Sequence, residues 1–565
     1  MTKVWRLVPA GETLLSTLLA RRGFSNQDDI DRYLAPDYTR DLHDPFLMTG
    51  MDKAVARILK AIRQQESIVI FADYDADGVP GAALLASFFK KVGHLNFSVY
   101  IPNRHEEAFG LNRGLVEDAA RRGVGLIITV DCGSTNVAEV KRANELGVDI
   151  IITDHHLTPE LLPPALAIIN PKLPGSTYPE PMLSGSGVAF KLVQALIARG
   201  RFGLPVGFEK WLLDLVAIAT VADMVPLVGE NRALVHFGLK VLRQTPRPGL
   251  RALIMASGLS LDFLTEDDIA FTLGPRLNAA SRMAHALEAY ELLTTESEAV
   301  GETLARRLVS LNQARRQSVE TILRSVSTQV GGPGLEQPLL VVGDRAWSLG
   351  VLGLAAARLV ETYGRPTFVW GQNSQGLVKG SCRSDGRVNM VELMAAAGGK
   401  ELFDDFGGHV RAGGFSLQAT RVAELGTRLN AARAELPDLI IEEDILIDGL
   451  LSPIDVTLAT HNLIKQLSPF GLGNPKPLFL FPAVKIEKVR RFGDGRNHLE
   501  LTIARETPTP LGAIGFFLGP RLDDGQDGAI LKQGEPVDLL AHLELSTYRS
   551  VATLRLRLVD WRVAS

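Results

Sequence analysis

Cysteine is scarce in this sequence: 565 residues contain two, Cys132 and Cys382. They lie far apart and form neither a disulfide framework nor the short spacing of a metal-binding motif, so we expect a reducing compartment, the cytoplasm. No apolar run approaches the roughly 20 residues of a membrane-spanning helix, and the first residues show no signal-peptide core. Lys and Arg number 60 against 64 Asp and Glu, a net charge of −4, so any binding to nucleic acid must use local patches.

Length and apolar periodicity divide the chain into parts. At roughly 100–200 residues per domain, we expect three or four domains. Residues 1–65 show helical spacing, and from 66 to about 230 β-branched runs alternate with helical stretches, the rhythm of a doubly wound parallel sheet. Residues 235–330 are predicted to be mainly helical and to end in a long basic helix, whose arginines are either a solvated face or direct contacts for a nucleic-acid strand. After the Gly-Gly-Pro-Gly at 331–334, a second α/β unit runs to about 435, and a small β-barrel follows.

Acidic residues follow four apolar runs. The clusters are Asp73, Asp75 and Asp77; Asp131; Asp154 with His155 and His156; and Asp223. The runs before them are typical of buried parallel strands, and open α/β sheets place their sites at strand ends, so we expect all four clusters there. Aspartates gathered in one place repel one another unless cations neutralise them. Carboxylates with imidazole suit Mn²⁺ or Mg²⁺, and we predict a site for two ions.

Some members of these clusters also have structural interpretations. Asp77 could instead cap the helix that begins near Gly81. Asp131 is our candidate for a carboxylate that bridges two ions. Adjacent imidazoles point in different directions, so one of His155 and His156 can bind metal while the other faces a phosphate, and Asp154 could orient an imidazole.

A second set of residues is suited to binding phosphate. The Gly-rich segments at 380–384 and 406–409 carry Ser381, Arg383, Ser384 and His409. Glycine lets backbone N–H groups approach an anion and arginine grips it with two donors, so these segments could form a phosphate clamp; simple turns are the alternative. Arg104, Arg276 and Asn278 are further candidates, although each arginine could also form a structural salt bridge.

Together these motifs resemble those of the DHH phosphoesterase superfamily. Residues 73–78, 131–133, 154–156 and 220–227 resemble its four motifs, and 380–384 with 406–409 resemble the DHHA1 domain. Residues 274–280, 469–475 and the last strands resemble, more narrowly, a bacterial family of single-strand-specific exonucleases with a carboxyl-terminal OB-fold. The resemblance implies a multidomain α/β protein with five parts: a helical segment (1–65), a parallel-sheet DHH domain (66–235), a helical region with a long connector helix (236–332), an α/β DHHA1 domain (333–438) and an OB-fold β-barrel that binds nucleic acid (439–565).

The resemblance also implies an activity and residue roles. The activity is 5′→3′ degradation of single-stranded DNA to mononucleotides with Mn²⁺ or Mg²⁺, in DNA repair and recombination, with a DNA helicase and a single-strand-binding protein as possible partners. The metal ligands would be Asp75, Asp77, Asp131, His155 and Asp223. His156 would act at the metal or the scissile phosphate, and Asp73 and Asp154 would support the site. The phosphate and DNA contacts would be Arg104, Phe109, Arg276, Asn278, Ser381, Arg383, Ser384 and His409.

Three positions depart from the pattern of that family, and three other functions compete with it. Ser348 replaces a usual histidine, Phe109 a usual tyrosine and Ser281 a frequent glycine, which affects rate or end preference rather than metal binding. Phe109 can still stack on a base. The competing functions are a phosphodiesterase for small substrates, a scaffold with an inactive nuclease core, and a pyrophosphatase. The barrel argues against the first and third, and the complete set of ligands argues against the second.

Overall fold

The computed structural model describes residues 4–9, 11–107, 110–330, 337–373, 375–439, 444–493, 496–505, 510–519, 522, 531, 533–546 and 552–564. The chain divides into two units. One contains residues 1–43, 224–240 and 443–565, and the other contains residues 44–223 and 241–442. Within the described residues, no helix is both long enough and apolar enough to cross a bilayer.

The first elements are mostly helical, with one strand. They are β1 (Val4–Leu7), α1 (Leu14–Ala20), α2 (Gln27–Leu34), α3 (Tyr38–Asp41) and α4 (Met51–Gln64). Strand β1 differs from the helical prediction for this segment, because its pairing partner lies more than 400 residues later in the chain and no local pattern reveals it. Helix α4 begins after Gly50, which has a φ of 82° and provides no side-chain cap.

The parallel sheet forms from residue 68 onward, as predicted. Its elements are β2 (Ile68–Ala72), α5 (Gly78–Lys91), β3 (Phe97–Tyr100), α6 (Arg113–Arg121), β4 (Leu126–Val130), α7 (Val137–Glu145), β5 (Asp149–Thr153) and β6 (Ala167–Ile169). The strand order is β3-β2-β4-β5-β6, and every pair is parallel. Strands β2 and β4 are buried at every residue, because helices cover both faces of such a sheet.

Helices make up the stretch of sequence between the parallel sheet and the next sheet along the chain. They are α8 (Gly185–Arg199), α9 (Leu213–Ala222), α10 (Gly229–Leu242), α11 (Pro248–Ala256), α12 (Glu266–Asp268), α13 (Gly274–Met283), α14 (Leu287–Thr294) and α15 (Glu298–Gln329). The prediction that Asp223 follows a strand is wrong, since α9 is a helix and Asp223 is its carboxyl-terminal cap. A helix buried on all sides is apolar all round, so its sequence cannot be told from that of a buried strand by periodicity. The predicted long basic helix is α15, with 32 residues.

The second α/β region has a mixed sheet. Its elements are β7 (Leu340–Gly343), α16 (Leu352–Tyr363), β8 (Thr367–Gln372), β9 (Val378–Arg383), α17 (Met390–Ala396), β10 (Asp405–His409), β11 (Ala412–Leu417) and α18 (Val422–Glu435). The order is β10-β11-β9-β8-β7, in which only β7 and β8 are parallel. Most of the residues in the two Gly-rich segments therefore lie in strands rather than in turns.

The last elements form the predicted barrel. They are β12 (Asp444–Ile447), β13 (Gly449–Leu450), α19 (Leu458–Lys465), β14 (Phe479–Phe492), β15 (His498–Ile503), β16 (Leu511–Gly515), β17 (Pro536–Ser546) and β18 (Thr553–Val563). Strands β14, β15, β16, β18 and β17 pair in that order, and β17 pairs again with β14, which closes the barrel. Its core includes Trp561, Phe479 and Phe481 together with Leu18 and Leu19 of α1. The sequence Gly493-Asp-Gly495 predicts a hairpin turn, and this segment lies partly outside the described residues.

Candidate active site

The acidic clusters lie at one edge of the parallel sheet. Asp73 follows β2, Asp131 follows β4 and Asp154 follows β5, and these three strands are neighbours. The carboxyl ends of adjacent parallel strands meet at the same edge, which is where such sheets place their sites. Asp223 reaches this edge from the end of α9, since its Oδ2 lies 3.6 Å from Nε2 of His155.

The loop after β2 is held from two sides. Asp75 Oδ1 accepts hydrogen bonds from the N–H groups of Asp77 at 2.8 Å and Gly78 at 3.1 Å. Asp77 stands at the amino-terminal cap of α5 but makes no capping bond with its side chain. Its two oxygens accept the N–H groups of Gly185 at 2.6 Å and Ser186 at 2.7 Å instead. The capping role considered for Asp77 therefore belongs to Asp75, and the start of α8 fixes Asp77 at the edge of the sheet.

Asp131 stands in a strained and crowded position. Its φ is 61°, a left-handed value that aspartate and asparagine tolerate better than most residues. Gly185 packs directly against it, so closely that a Cβ added to Gly185 would lie 2.5 Å from Cβ of Asp131. Asp131 is 2 % exposed, and its Oδ1 accepts no hydrogen bond from the described residues.

The two histidines differ in their surroundings. His155 is buried, with Nε2 3.1 Å from Asp131 Oδ1 and 3.8 Å from Asp77 Oδ2. His156 is 45 % exposed, and its Nδ1 lies 2.8 Å from Asp154 Oδ1. Asp154 also accepts the N–H group of Ser134. Asp154 therefore orients His156, and His155 faces the carboxylates.

Three groups of side chains at this edge could each hold a metal ion. They are Asp131 with His155 and His156, Asp77 with His155 and Asp223, and Asp73 with Asp75 and Asp131. In each group the ligand atoms lie within 4.8 Å of one another. Asp131 belongs to two groups, as expected of a bridging carboxylate. Asp73, predicted only to support the site, also joins a group, and His156 joins one in line with the metal role considered for it.

The shifted pKa values of these groups indicate that the carboxylates need a cation to stay ionised together. Burial, together with the charge of Asp77, raises the pKa of Asp131 well above its usual value. Burial and the charges of Asp77 and Asp75 raise the pKa of Asp223 to about 8. Burial lowers the pKa of His155 to about 4, so its imidazole is neutral and can act as a ligand.

The donor set fits a hard divalent cation. Oδ1 of Asp73 and Oδ1 of Asp131 are buried and accept no hydrogen bond from the described residues. A buried carboxylate oxygen without a donor is costly, and a cation bound by both carboxylates would satisfy them. Oxygen ligands with one or two imidazoles are typical of Mn²⁺ and Mg²⁺.

The predicted phosphate contacts of the second sheet lie partly on one face. In the register of β9, β11 and β10, Arg383 is opposite Ala412 and Ala412 is opposite His409, while Ser381 is opposite Gly414. Residues opposite one another point to the same side of a sheet, so Ser381, Arg383 and His409 share a face. The hydroxyl of Ser384 is engaged in a turn, where it donates to the carbonyl of Val388 and accepts the N–H of Gly386.

The other predicted contacts lie beside the acidic edge. Asn278 Oδ1 accepts the N–H of Ala76 at 2.9 Å, so it positions the loop that carries Asp75 and Asp77. The guanidinium of Arg104 lies 4.8 Å from the ring centre of Tyr74, in the same loop. Arg276 donates to the carbonyl of Thr272, while its Nε has no partner among the described residues. Phe109 lies outside the described residues.

Comparisons with known proteins agree with this architecture. Residues 67–220 match the model of the DHH family, N-terminal domain, residues 336–436 match the DHHA1 domain, and residues 447–560 match the RecJ OB domain. The single-stranded-DNA-specific exonuclease RecJ of Haemophilus influenzae is 33% identical over 577 residues, which cover 98% of each chain. The chain belongs to the RecJ family. The RecJ of Bacillus subtilis is 37% identical over 98% of this chain and 68% of its own length.

A solved RecJ structure shares the fold. The crystal structure of RecJ in complex with Mn²⁺ from Thermus thermophilus superposes with a TM-score of 0.79 at 30% identity, over 100% of this chain and 80% of that one. A related crystal structure from the same organism is in complex with Mg²⁺. The acidic edge of this chain suits both Mn²⁺ and Mg²⁺ by its own ligand chemistry.

Two departures from the usual RecJ pattern are visible. Ser348 is exposed before α16, without a capping hydrogen bond. Ser281 is buried in α13 and donates to the carbonyl of Asn278. Neither residue belongs to the three groups that could hold a metal.

Gly185, Ser186 and Lys172 belong to the site but were not predicted from the sequence, whereas Arg282 follows the predicted contacts Arg276 and Asn278 in the same segment. Gly185 and Ser186 hold Asp77, and the Ser-Gly-Ser-Gly at 184–187 before an apolar run is a helix-start signal that could have been read. Lys172 is part-buried near Asp223 and Asp154, and burial lowers its pKa. The guanidinium of Arg282 donates to the carbonyl of Gly350 at 3.0 Å, and burial lowers its pKa to about 10.

Asp154 accepts the backbone N–H of the candidate ligand residue His155 at 2.7 Å. Replacing Asp154 by asparagine should therefore lower the affinity for Mn²⁺ and the cleavage rate by roughly 10- to 100-fold, the usual effect of changing a group that orients a ligand. Burial opposes its charge, but the hydrogen bond with His156 lowers the pKa of Asp154 to about 2, so the carboxylate is ionised at neutral pH. Titration of Mn²⁺ against the cleavage rate measures the effect. Glu160→Gln, an exposed change nearby, is the control, and equal Mn²⁺ dependence in the two variants would contradict the role of Asp154.

Proposed function

We propose that this protein is a metal-dependent exonuclease that degrades single-stranded DNA from the 5′ end to mononucleotides, in DNA repair and recombination. The observation that carries the proposal is the acidic edge, where Asp73, Asp75, Asp77, Asp131 and Asp223 meet two histidines. Membership of the RecJ family supports the substrate, since its relatives are named single-stranded-DNA-specific exonucleases.

The metal ligands in this proposal are Asp75, Asp77, Asp131, His155 and Asp223, with Asp73 as an additional ligand from the same groups. When bound, two Mn²⁺ or Mg²⁺ ions would supply Lewis acidity, which polarises the scissile phosphate and makes water a stronger acid. Gly185 and Ser186 keep Asp77 in place, and Asp75 fixes the turn between β2 and α5. The protein therefore holds its carboxylates in one arrangement before the ions arrive.

His156 is suited to act on the substrate side. Although burial opposes it, the hydrogen bond with Asp154 raises the pKa of His156. Its Nδ1 faces Asp154 and the ring is 45 % exposed, so a protonated imidazole can donate from Nε2 to a phosphate oxygen. We assign His156 the task of holding the scissile phosphate while His155 stays with the carboxylates.

The phosphate contacts favour cleavage near a chain end. Arg383, Ser381 and His409 share one face of the second sheet, and Arg104 and Arg276 lie beside the acidic edge. Guanidinium groups bind phosphate with two parallel donors. In the proposal these residues grip the terminal 5′ phosphate, so that the next phosphodiester reaches the ions.

The barrel supplies a surface for the rest of the strand. Phe492 packs against His498 with ring centres 5.2 Å apart, His498 packs against Phe516 at 5.4 Å, and the guanidinium of Arg557 lies 5.4 Å from the Phe516 ring. Phe516 is exposed, and Phe492 and His498 are part-buried. Accessible aromatic rings beside arginine are suited to stacking on bases without regard to sequence. Arg490 forms an ion pair with Glu500, which weakens it as a contact. Tyr548 and Arg549, which we propose for the same surface by their residue types, lie outside the described residues.

Three finer assignments belong to the same proposal. We propose the five-part division given above, a cytoplasmic location, and encounters with a helicase and a single-strand-binding protein, which would supply the single strand. Both cysteines are free and buried, in line with a reducing compartment. Fluorescence of a tagged chain in living cells and pull-down with purified partners test the last two assignments.

The direct test uses single-stranded DNA labelled at one end or the other, with matching blunt duplex. With Mn²⁺, a 5′ label should appear at once as a mononucleotide, while a 3′ label should stay in shortening fragments. Release from the 3′ end first would reverse the polarity. Cleavage of dinucleotides alone would favour the small-substrate phosphodiesterase, and tight binding without any cleavage would favour the scaffold.

Removal of the metal should both inactivate and destabilise the protein. EDTA leaves the buried carboxylates without a counter-ion, and ions at 100 times their dissociation constant stabilise the fold by about 2.7 kcal/mol. We expect cleavage to disappear in EDTA and to return with Mn²⁺, and the melting temperature to follow both changes. Calcium, which binds oxygen ligands in less regular geometry, is the control: it should restore stability more than activity. A melting temperature that does not change when EDTA is added would contradict this arrangement of ligands.

A further inference from the structure

Helix α15 carries two arginines whose charge is not balanced. Three of its arginines form ion pairs: Arg306 with Glu302, Arg307 with Glu288 and Arg324 with Glu320. Arg315 and Arg316 form no salt bridge with any carboxylate among the described residues. The helix thus neutralises its arginines along most of its length and leaves these two unpaired in the middle.

The unpaired arginines face others of the same kind. Besides burial, Arg316 and Arg315 lower the pKa of Arg276 on α13. Burial, Arg104 and Arg315 lower the pKa of Arg282 on the same helix. None of these arginines forms a salt bridge within the described part of the chain. Neighbouring like charges repel one another, so this group of arginines is unfavourable until an anion binds between them.

Two of the side chains also have a donor to offer. Nε of Arg276 and Nε of Arg315 are buried and have no hydrogen-bond partner among the described residues. A buried donor without an acceptor costs about 1–3 kcal/mol. Helices that hold guanidinium groups in this way are suited to a tetrahedral anion with several oxygens, such as a phosphate. Among the described residues, no carboxylate pairs with these arginines.

We propose that Arg315 and Arg316 form, with Arg276, a second phosphate subsite that holds a backbone phosphate of the single strand beside the acidic edge. The inference rests on the proposed function, because it requires a polyanionic strand at that edge. It adds residues of the long helix to the phosphate contacts of the second sheet, and it gives α15 a binding role in addition to that of a connector. Arg315 is the central member, since its charge lowers the pKa of both Arg276 and Arg282.

The subsite predicts a specific change in salt dependence. The affinity for a single strand falls as the salt concentration rises. In a plot of log affinity against log salt concentration, the slope has a magnitude of about 0.7 for each phosphate that is neutralised. Arg315→Gln should weaken binding of a 20-nucleotide single strand by roughly tenfold and reduce this slope by about 0.7, and Arg316→Gln should do the same to a smaller extent. Arg315→Lys keeps the charge, so it should keep the slope while losing part of the affinity.

The experiment measures equilibrium binding of the full chain by fluorescence anisotropy with Ca²⁺ in place of Mn²⁺, at several salt concentrations. Arg324→Gln and Arg306→Gln are the matched controls, because they remove an exposed, paired charge from the same helix. Equal slopes for Arg315→Gln and Arg324→Gln would overturn the subsite. If the unaltered protein binds no single strand at all, the proposed function fails instead. Thermal melts of every variant confirm that the fold is intact, and a fall in melting temperature that Arg315→Lys does not rescue would indicate a structural role.

Discussion

Replacing Asp131 by asparagine should abolish cleavage and, in the absence of metal, stabilise the protein. Loss of a bridging carboxylate removes several kcal/mol of transition-state stabilisation, so we expect the rate to fall by roughly 10³-fold or more. The buried charge, in contrast, has no partner without metal and repels its neighbours, so its removal should add about 1–4 kcal/mol to the free energy of unfolding. Asparagine tolerates the left-handed φ of this position, so the backbone need not change.

The sign of the stability effect should depend on metal and on pH. Saturating Mn²⁺ stabilises the unaltered protein more than the variant, which should reverse their order. Because burial and neighbouring carboxylates raise the pKa of Asp131 in the folded chain, its destabilising effect develops as the pH rises above the pKa of the unfolded carboxyl. The advantage of the variant should therefore shrink as the pH is lowered toward about 4.

Thermal melts in EDTA and in Mn²⁺, at two pH values, measure both effects. Asp118→Asn on α6, an exposed carboxylate, is the control and should change neither the melting temperature nor the rate by a large factor. A variant at Asp131 that gains as much stability from Mn²⁺ as the unaltered protein would show that this carboxylate is not a ligand.

Gly185→Ala should cost about 10²-fold in rate although Gly185 takes no part in the chemistry. The added Cβ would lie 2.5 Å from Cβ and 2.8 Å from Cα of Asp131, so either the start of α8 or the aspartate must move. The N–H of Gly185 also holds Asp77. A displacement near 1 Å at a reacting group typically costs about 100-fold, and crowding in a packed region destabilises by roughly 1–3 kcal/mol.

Gly187→Ala, half a turn further along the same helix, is the control, and its expected effect on stability has the opposite sign. The nearest atom to its added Cβ is Ser184 Oγ at 3.4 Å, an ordinary contact. Alanine favours a helix over glycine by up to about 1 kcal/mol, so this variant should be as active as the unaltered protein and slightly more stable. Equal activity of the two variants would mean that the contact between Gly185 and Asp131 does not position the carboxylate.

The parallel sheet was predictable because its signals are local. Residues 68–71, 126–130 and 150–153 are β-branched and apolar, and the strands found there begin and end within one residue of those bounds. The aspartates that follow them were therefore placed correctly at one edge. Asp223 was placed at the same edge for the wrong reason, since the apolar run before it is a helix.

The rest of the site depends on contacts between distant parts of the chain. Gly185 and Ser186 reach Asp77 over more than 100 positions, and Arg315 approaches Arg276 and Arg282 through the packing of two helices. Side-chain roles were harder still: Asn278 and Ser384, predicted to contact phosphate, also bond to the backbone nearby, which their residue types alone do not reveal. A residue type indicates what a side chain can bind, and only its neighbours decide what it does bind.

Strand β1 has a consequence for how the protein is made. Val4 pairs with Asp444, about 440 residues later, and the next three residues continue that parallel pairing. At a synthesis rate of about 5–20 residues per second, roughly 20–90 s pass before the partner strand leaves the ribosome. The barrel to which α1 contributes Leu18 and Leu19 is translated later still. Strand β1 and helix α1 therefore cannot complete their native contacts until the carboxyl-terminal strands have been translated. We expect a chaperone to shield this segment during translation.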